Sequence, residues 1–244
     1  MRTTLPLLVL PILLAAGTAE AQKVFLNPSN QTGNPVSGGG NEAQYQLICA
    51  NLAKGILDKA GFNVVVDQDF TNAPSNANSW GADIFVSLHT NAGGGHGTET
   101  LYKTDGGKAL AAKVQEGLLA SLGYQSRGLK LRTDLHVLNS TNMHACLDEA
   151  AFHDCTATSG YQGHPPSESS FIRSAAGQQQ IAEGVANGVC AYFGKSCAAA
   201  PETGKLRGTV YRAPNLDDKL VALEHYWRSS MFSQLAVILY QNQK

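Results

Sequence analysis

The 244-residue chain carries little charge: Asp, Glu, Lys and Arg make up 15% of it, and the formal net charge is −1. The lack of a basic surplus argues against a surface for nucleic acid or anionic lipid. Internal repeats and low-complexity tracts are also missing. Beyond the N-terminus, no segment approaches the roughly 20 apolar residues of a membrane-spanning helix. We therefore expect a globular protein with no stable membrane insertion once its leader is removed.

The cysteines do not show the paired spacing of a structural zinc site. There are five of them, at Cys49, Cys146, Cys155, Cys190 and Cys197. In an exported chain such residues make disulfides plausible, and an odd count leaves at least one thiol unpaired or intermolecular. Cys146–Cys155 and Cys190–Cys197 are the pairings with short loops. The sequence alone does not choose between the possible pairings.

The N-terminus predicts export. A positive start at Met1 and Arg2 is followed by an apolar run over residues 5–16, which is short for a membrane span, and then by Ala19-Glu20-Ala21. This order is typical of a signal peptide, so we predict that residues 1–21 are removed. A retained membrane anchor is the alternative. The expected location is secreted, periplasmic or associated with the cell wall.

The mature chain is long enough to bury a full core in one domain, which we predict over residues 22–195. The composition of residues 196–205 is that of a linker. Residues 206–244 are too few for a confident independent domain, so we predict a short C-terminal appendage of uncertain structure. We expect a monomer.

Hydrophobic patterning predicts strands that alternate with helices. The strands are expected at residues 23–26, 62–66, 83–88 and 98–102, and more weakly at 129–131 and 145–147; the helices are expected at 42–60, 107–122 and 171–193. This order predicts an α/β fold: a mixed, mostly parallel sheet with helices on both faces. In such folds the chemistry lies at the carboxyl ends of strands, where residues 27–31, 89–91 and 149–154 follow predicted strands.

Three residues near those strand ends could carry chemistry. His89 follows a buried strand, where a rigidly held imidazole suits a metal ligand. Glu42 opens the first helix and could be a second ligand, although an acidic residue there also complements the helix dipole. Glu149 ends an apolar strand, where poor solvation could prepare it for general base work; a structural carboxylate in a salt bridge is the alternative.

The order of these motifs resembles the zinc-dependent N-acetylmuramoyl-L-alanine amidases, over about residues 23–194. The family's first strand, Gly-rich loop and helix-opening Glu look like Lys23 to Glu42. Its Ser-x-His-x-Asn segment is similar to Ser87–Asn91, and its Gly-x-Glu strand is similar to Gly97–Tyr102. The Glu-x-x-Phe at the end of its last strand looks like Glu149 to Phe152. Several matches in the same order are more specific than any single motif.

The resemblance implies an enzyme that cuts peptidoglycan at the amide between the lactyl group of N-acetylmuramic acid and L-alanine. It implies one zinc ion, held by Glu42, His89 and a third group. Glu149 would accept the proton of the attacking water and pass it to the leaving nitrogen. Asn91 and Arg127 are predicted to contact the substrate.

The chain departs from the family pattern at one ligand. Asn30 stands where the family carries a histidine after the first strand, and a neutral amide oxygen binds zinc less well than imidazole does. His153, four residues after Glu149, is the best candidate for a replacement ligand, and His96 is the second. The remaining histidines are expected to be at the surface or structural: His136, His144, His164 and His225.

Two other functions remain open at this point. Loss of the metal would leave a catalytically inactive peptidoglycan-binding module on the same fold. A zinc carboxypeptidase or deacetylase on a related scaffold is the other alternative, and a carboxypeptidase would need an arginine such as Arg127 or Arg132 to bind a substrate carboxylate.

Overall fold

A computed structural model describes residues 20–157 and 167–197, which contain a six-stranded sheet in the order β2-β1-β3-β6-β4-β5. The strands are β1 (Lys23–Pro28), β2 (Asn63–Val66), β3 (Ile84–Asn91), β4 (Thr98–Tyr102), β5 (Ser126–Leu131) and β6 (His144–Phe152). Strands β2, β1, β3 and β6 pair in parallel. Strand β4 runs antiparallel to β6 and parallel to β5. The predicted mixed, mostly parallel sheet is confirmed.

Helices cover both faces of the sheet, as expected. They are α1 (Glu42–Lys59), α2 (Ala73–Trp80), α3 (Asp105–Leu122), α4 (His136–Asn139), α5 (Glu168–Arg173) and α6 (Ala175–Tyr192). One apolar core joins alternate strand residues such as Leu26 and Val86 to α1, α3 and α6. A smaller core joins the opposite side of the sheet, including Phe85, to α2 and α4. The second face is covered by shorter helices, which leaves room for a cleft above the strand ends.

The long helix predicted over residues 171–193 is two helices that meet at Ser174. This serine ends α5 in an extended conformation, and its hydroxyl accepts a hydrogen bond from the backbone N–H of Gly177 at 2.9 Å. A serine that caps a new helix stabilises a break that the apolar spacing alone does not reveal. The chain therefore turns between α5 and α6.

Part of the predicted domain organisation falls outside the described residues. Residues 1–19 of the predicted signal peptide lie there, as do residues 198–205 of the predicted linker and the whole appendage at 206–244. Within the described ranges, no helix combines the length and the apolar character that crossing a membrane requires.

One of the two short-loop disulfides is formed. Cys190, near the end of α6, is bonded to Cys197, with their Cα atoms 5.6 Å apart. The other three cysteines are free and buried: Cys49, Cys146 and Cys155. The Cys146–Cys155 pairing is therefore not formed.

Glycines allow α3 and α6 to pack closely. A Cβ atom on Gly117 would lie 2.2 Å from the carbonyl oxygen of Gly184, and one on Gly188 would lie 2.5 Å from Cα of Val114. Real Cβ atoms do not approach backbone this closely, so a side chain at either position would push the helices apart. The contact between the two helices depends on glycine at this crossing.

We expect Gly188→Ala to lower the free energy of unfolding by about 1–3 kcal/mol, because overpacking forces the backbone to shift. Gly55→Ala is the matched control: Gly55 lies in the exposed interior of α1, and a Cβ atom added there would have nothing within 4 Å. That change should instead add about 0.5–1 kcal/mol, since alanine loses less backbone entropy in a helix. Guanidinium denaturation measures both, and equal effects would contradict the close-packing argument.

Candidate active site

A buried carboxylate–imidazole pair lies at the carboxyl ends of β1 and β3. Glu42, in the first turn of α1, has no exposed surface, and His89, near the end of β3, is 7% exposed. Oε1 of Glu42 lies 2.9 Å from Nδ1 of His89 and accepts a hydrogen bond from the backbone N–H of Thr90 at 3.1 Å. Its Oε2 accepts one from the Asn34 side chain at 2.7 Å. The structure thus brings together the two predicted ligands on which the metal site depends.

The environment of Glu42 favours its ionised form. Burial alone would raise the pKa of this carboxyl group. The hydrogen bond and charge of His89 act against burial, as do the hydrogen bonds from Asn34 and Thr90, and the pKa ends below its usual value. A carboxylate that accepts several hydrogen bonds keeps its charge even inside a protein. Glu42 is therefore a negative group ready to face a cation.

The loop after β1 adds a group that the sequence analysis did not single out. The side-chain nitrogen Nε2 of Gln31 lies 3.3 Å from Nδ1 of His89, and its Oε1 accepts a hydrogen bond from Asn34 at 2.8 Å. Asn30, at the position of the family's histidine, is exposed. The sequence signal for Gln31 is its place within residues 27–31, which follow the first predicted strand, where functional side chains of this fold class gather.

Glu149 lies beside His89 on the neighbouring strand. The two residues are register partners in the β3–β6 ladder. Oε2 of Glu149 is buried and has no hydrogen-bond partner within the described ranges. Burial raises the pKa of Glu149 well above its usual range, and the negative charges of Glu42, Asp148 and Glu99 raise it further, against the opposing effect of Arg132. Burial and the neighbouring negative charges therefore favour the protonated form of this carboxyl group.

Polar side chains continue across the sheet beyond Glu149. Glu99 on β4 is its register partner on the other side. The Glu99 carboxylate accepts hydrogen bonds from Asn91 Nδ2 at 3.0 Å and from Arg127 Nε at 2.7 Å. We call His89, Glu149, Glu99 and Arg127 the cross-strand row, since they lie on β3, β6, β4 and β5 in turn. The two predicted substrate contacts, Asn91 and Arg127, are thus joined through a glutamate that the sequence analysis named only as part of a motif.

The Arg127 side chain is held from a second direction. Its guanidinium carbon lies 4.8 Å from the centroid of the Phe152 ring, within the range of a cation–π interaction. With Nε bound to Glu99, the orientation of the guanidinium is fixed at the far end of the cross-strand row.

His153 contacts Thr90, the residue that follows His89. It is 4% exposed, and its Nδ1 lies 3.1 Å from the hydroxyl of Thr90 and 3.2 Å from the Thr90 carbonyl oxygen. No group of three His, Cys, Asp or Glu side chains within the described residues is suited to hold a metal ion. His153 as a third ligand therefore stays a prediction. The second candidate, His96, lies exposed in the loop before β4.

A cleft of about 520 Å³ opens above these residues. His89, Glu149, Asn30 and Gln31 line it, and Leu101 and Leu147 form an apolar part of its wall. The lining also includes Arg132 and the rings of Phe70 and His136, whose centroids are 5.3 Å apart. His136 is exposed, as expected of a surface histidine, and it also lines the cleft. The cleft can admit a polar ligand with apolar portions to both the carboxylate–imidazole pair and Glu149.

Comparison with known sequences gives consistent matches. Residues 24–191 match the sequence model of the family described as N-acetylmuramoyl-L-alanine amidase. The chain is 34% identical over 214 residues to the N-acetylmuramoyl-L-alanine amidase CwlM of Bacillus licheniformis, covering 82% of this chain and 79% of that protein. It is 30% identical over 183 residues to a sporulation-specific N-acetylmuramoyl-L-alanine amidase of Bacillus subtilis, covering 68% and 66%.

Solved structures show the same fold. An N-acetylmuramoyl-L-alanine amidase of Clostridium difficile 630 superposes with a TM-score of 0.62 at 29% identity, covering 72% of this chain and 98% of that one. The amidase AmiC2 of Nostoc punctiforme also gives a TM-score of 0.62, at 24% identity, covering 73% and 100%. The shared region is the domain that carries the cleft.

Proposed function

This chain belongs to the N-acetylmuramoyl-L-alanine amidase family, and from that premise we propose that it cuts peptidoglycan with one zinc ion and with Glu149 as general base and acid. The bond cut is the amide between the lactyl group of N-acetylmuramic acid and L-alanine. The observation that carries the proposal is the contact between Glu42 and His89 beside the partnerless Oε2 of Glu149, all at one edge of the sheet.

The donor set suits a zinc ion. Imidazole nitrogen and carboxylate oxygen are common zinc ligands, and Glu42 and His89 supply one of each. The Glu42 oxygens are held by Asn34 and by the backbone of Thr90, as supporting hydrogen bonds hold ligands in metal sites. When bound, zinc polarises the attacking water and the amide carbonyl, and its charge favours the ionised form of a nearby carboxylate.

Glu149 would move the proton. Its free Oε2 can accept a proton from the attacking water and then give it to the nitrogen of L-alanine. Without that second transfer the amine leaves poorly, because an amide nitrogen departs only once it is protonated. The buried position of this oxygen supports the assignment, since few competing donors reach it.

The remaining residues of the row would orient the substrate. Arg127 presents a positive group whose direction is fixed by Glu99 and Phe152, which suits a carboxylate of the stem peptide. The side-chain nitrogen of Asn91 donates a hydrogen bond to Glu99, and its side-chain oxygen accepts one from the backbone N–H of Ala92. Its polar atoms are therefore already engaged within the cross-strand row. We propose that Asn91 acts on the substrate through Glu99.

The two alternative functions have less support. An inactive binding module would not need Glu42, His89 and Glu149 to converge, and the family assignment is to an enzyme. A carboxypeptidase would also conflict with that assignment. The pair Arg132–Asp134, with two hydrogen bonds at 2.8 and 2.7 Å, further limits Arg132 as a clamp for a free carboxylate.

Export also belongs to the proposal. Peptidoglycan lies outside the cytoplasmic membrane, and a signal peptide over residues 1–21 would deliver the enzyme there. The Cys190–Cys197 disulfide supports this, because such bonds form and persist in oxidising compartments.

Product analysis combined with metal removal tests the proposal. Purified peptidoglycan treated with the chain should release intact stem peptides with a free N-terminal alanine, detected by mass spectrometry after N-terminal labelling. The purified chain should contain about one zinc per molecule, and dialysis against a chelator should abolish release until zinc is returned. Cleavage at another bond would overturn the amidase assignment, and full activity in a verified zinc-free sample would overturn the zinc mechanism.

A further inference from the structure

The carboxylate–imidazole pair offers only two of the ligands that a zinc ion held by protein needs. Catalytic zinc sites use three protein ligands and keep one position open. Within the described residues, no third His, Cys, Asp or Glu completes the Glu42–His89 pair as a metal group. Among the described residues, the third donor must then be another kind of side chain, or a group must move into the site.

The side-chain amide of Gln31 is at the required place. Its terminal atom lies 3.3 Å from Nδ1 of His89. For bonds of about 2.0–2.1 Å, two ligands of a tetrahedral zinc ion are separated by about 3.3 Å. The Glu42–His89 separation is shorter, at 2.9 Å, as expected for two ligands that attract each other directly. Glu42 and Gln31 thus both approach Nδ1 of His89, and Gln31 and His89 line the cleft.

We propose that the side-chain oxygen of Gln31 is the third zinc ligand and takes the place of the histidine that the family carries after its first strand. The inference rests on the zinc site of the proposed function and names its remaining ligand. A half-turn of the amide about its last bond exchanges nitrogen and oxygen, so Oε1 would face the pair. Asn34 would give up its contact with Gln31 and keep its hydrogen bond to Glu42.

Two other residues fit the site less well. His153 contacts Thr90 through Nδ1, which leaves its Nε2 available to a metal, but among the described residues no group that joins His153 to Glu42 and His89 is suited to hold an ion. Asn30 directly precedes Gln31, but it is Gln31 whose side chain reaches His89.

A glutamine ligand has a measurable consequence. An amide oxygen is neutral and a harder donor than imidazole, so it holds zinc less tightly. Gln31→His should therefore raise zinc affinity by at least about 10-fold. Loss of a residue that only hydrogen-bonds to a metal ligand typically lowers metal affinity by roughly 10–100-fold, and Gln31→Ala should lower zinc affinity by at least that much. Because Gln31 is exposed, neither change is expected to disturb folding, and circular dichroism melting checks this.

The experiment measures zinc affinity by competition with a chromophoric chelator, using the full purified chain. The variants are Gln31→Ala, Gln31→His and His153→Ala, with Gln179→Ala as the matched control. Gln179 lies on α6 and donates a hydrogen bond to Glu183 at 2.9 Å, on the opposite side of the sheet from the cleft. The visible spectrum of the cobalt-loaded protein supplies a second readout, because exchanging oxygen for nitrogen changes the ligand field.

The outcomes separate the inference from the proposed function. Weaker binding in Gln31→Ala, tighter binding and an altered cobalt spectrum in Gln31→His, and unchanged binding in His153→Ala would support the inference. If zinc binds the parent chain but only His153→Ala weakens it, Gln31 is not the ligand and the zinc mechanism stands. If the parent chain binds no zinc and ignores chelators, the zinc mechanism fails and the inference fails with it.

Discussion

Replacing Glu149 by glutamine should lower kcat by about 10²–10⁴-fold, the usual contribution of general acid–base catalysis. Glutamine keeps the size and shape of the side chain but cannot accept a proton from water and return it to the leaving nitrogen. Zinc content should not change, since Glu149 is not among the proposed ligands. The rate is followed by the appearance of N-terminal alanine from purified peptidoglycan, with metal content measured on the same sample.

Glu99→Gln is the matched control, because Glu99 faces Glu149 from the next strand and is also a glutamate. Its carboxylate is already occupied by Asn91 and Arg127, so it is not free to exchange protons with the substrate. We expect a smaller loss there, carried mainly by KM as the Arg127 side chain loses its fixed direction. Equal losses of kcat in the two variants would show that Glu149 is not the specific proton carrier.

Replacing Asp148 by asparagine should stabilise the protein at neutral pH, and the gain should grow with pH. Asp148 has no exposed surface, and neither of its carboxylate oxygens has a hydrogen-bond partner in another described residue. Burial raises its pKa well above the usual value, against the opposing effect of its own backbone amide. Its charge also helps to raise the pKa of the Cys49 and Cys146 thiols, after the larger effect of their own burial.

The direction of this pH dependence follows from the number of protons that the folded and the unfolded chain bind. Below about pH 3.9 the carboxyl group is protonated in both the folded and the unfolded chain, and it adds no pH dependence. As the pH rises, the unfolded chain releases this proton while the folded chain keeps it. Folding stability then falls by up to about 1.4 kcal/mol for each pH unit until the folded-state pKa is reached. Asparagine does not titrate, so the variant avoids this loss.

Urea denaturation of both proteins at several pH values between 4 and 7 measures the effect. Asp58→Asn serves as control, because Asp58 is exposed on α1 and pairs with Lys54. A surface pair of this kind is worth no more than about 1 kcal/mol, and its loss should depend only weakly on pH. A stability difference for Asp148→Asn that stays constant from pH 4 to 7 would contradict the argument.

The sequence was most informative where local patterns determine structure. The nearly continuous apolar run at residues 83–88 and the helical spacing after Glu42 predicted β3 and α1, and with them the positions of His89 and Glu42. Helix α2 was missed, because its sequence APSNANSW has no apolar stripe and depends on packing in the smaller core. The break at Ser174 was missed for a related reason, since the apolar spacing continues across it.

The approach of Gln31 to His89 could not be predicted because it depends on contacts between distant segments. Gln31 meets His89 across 58 residues of sequence, and no local pattern records that approach. Strand β6 gains one residue relative to β3 between His89 and Asn91. Such a bulge changes which side chains face each side of the sheet, and His153, beyond it, contacts Thr90. The contact between His153 and Thr90 therefore could not be predicted from spacing along the chain.

The length of the cross-strand row limits which substrates can contact both of its ends. Three strand-to-strand steps separate β3 from β5, which amounts to about 14 Å. An extended peptide advances at most about 3.3–3.6 Å per residue, so about four residues are needed to reach from His89 to Arg127. A two-residue fragment of the stem can occupy the cutting position and still fall short of the arginine at the far end.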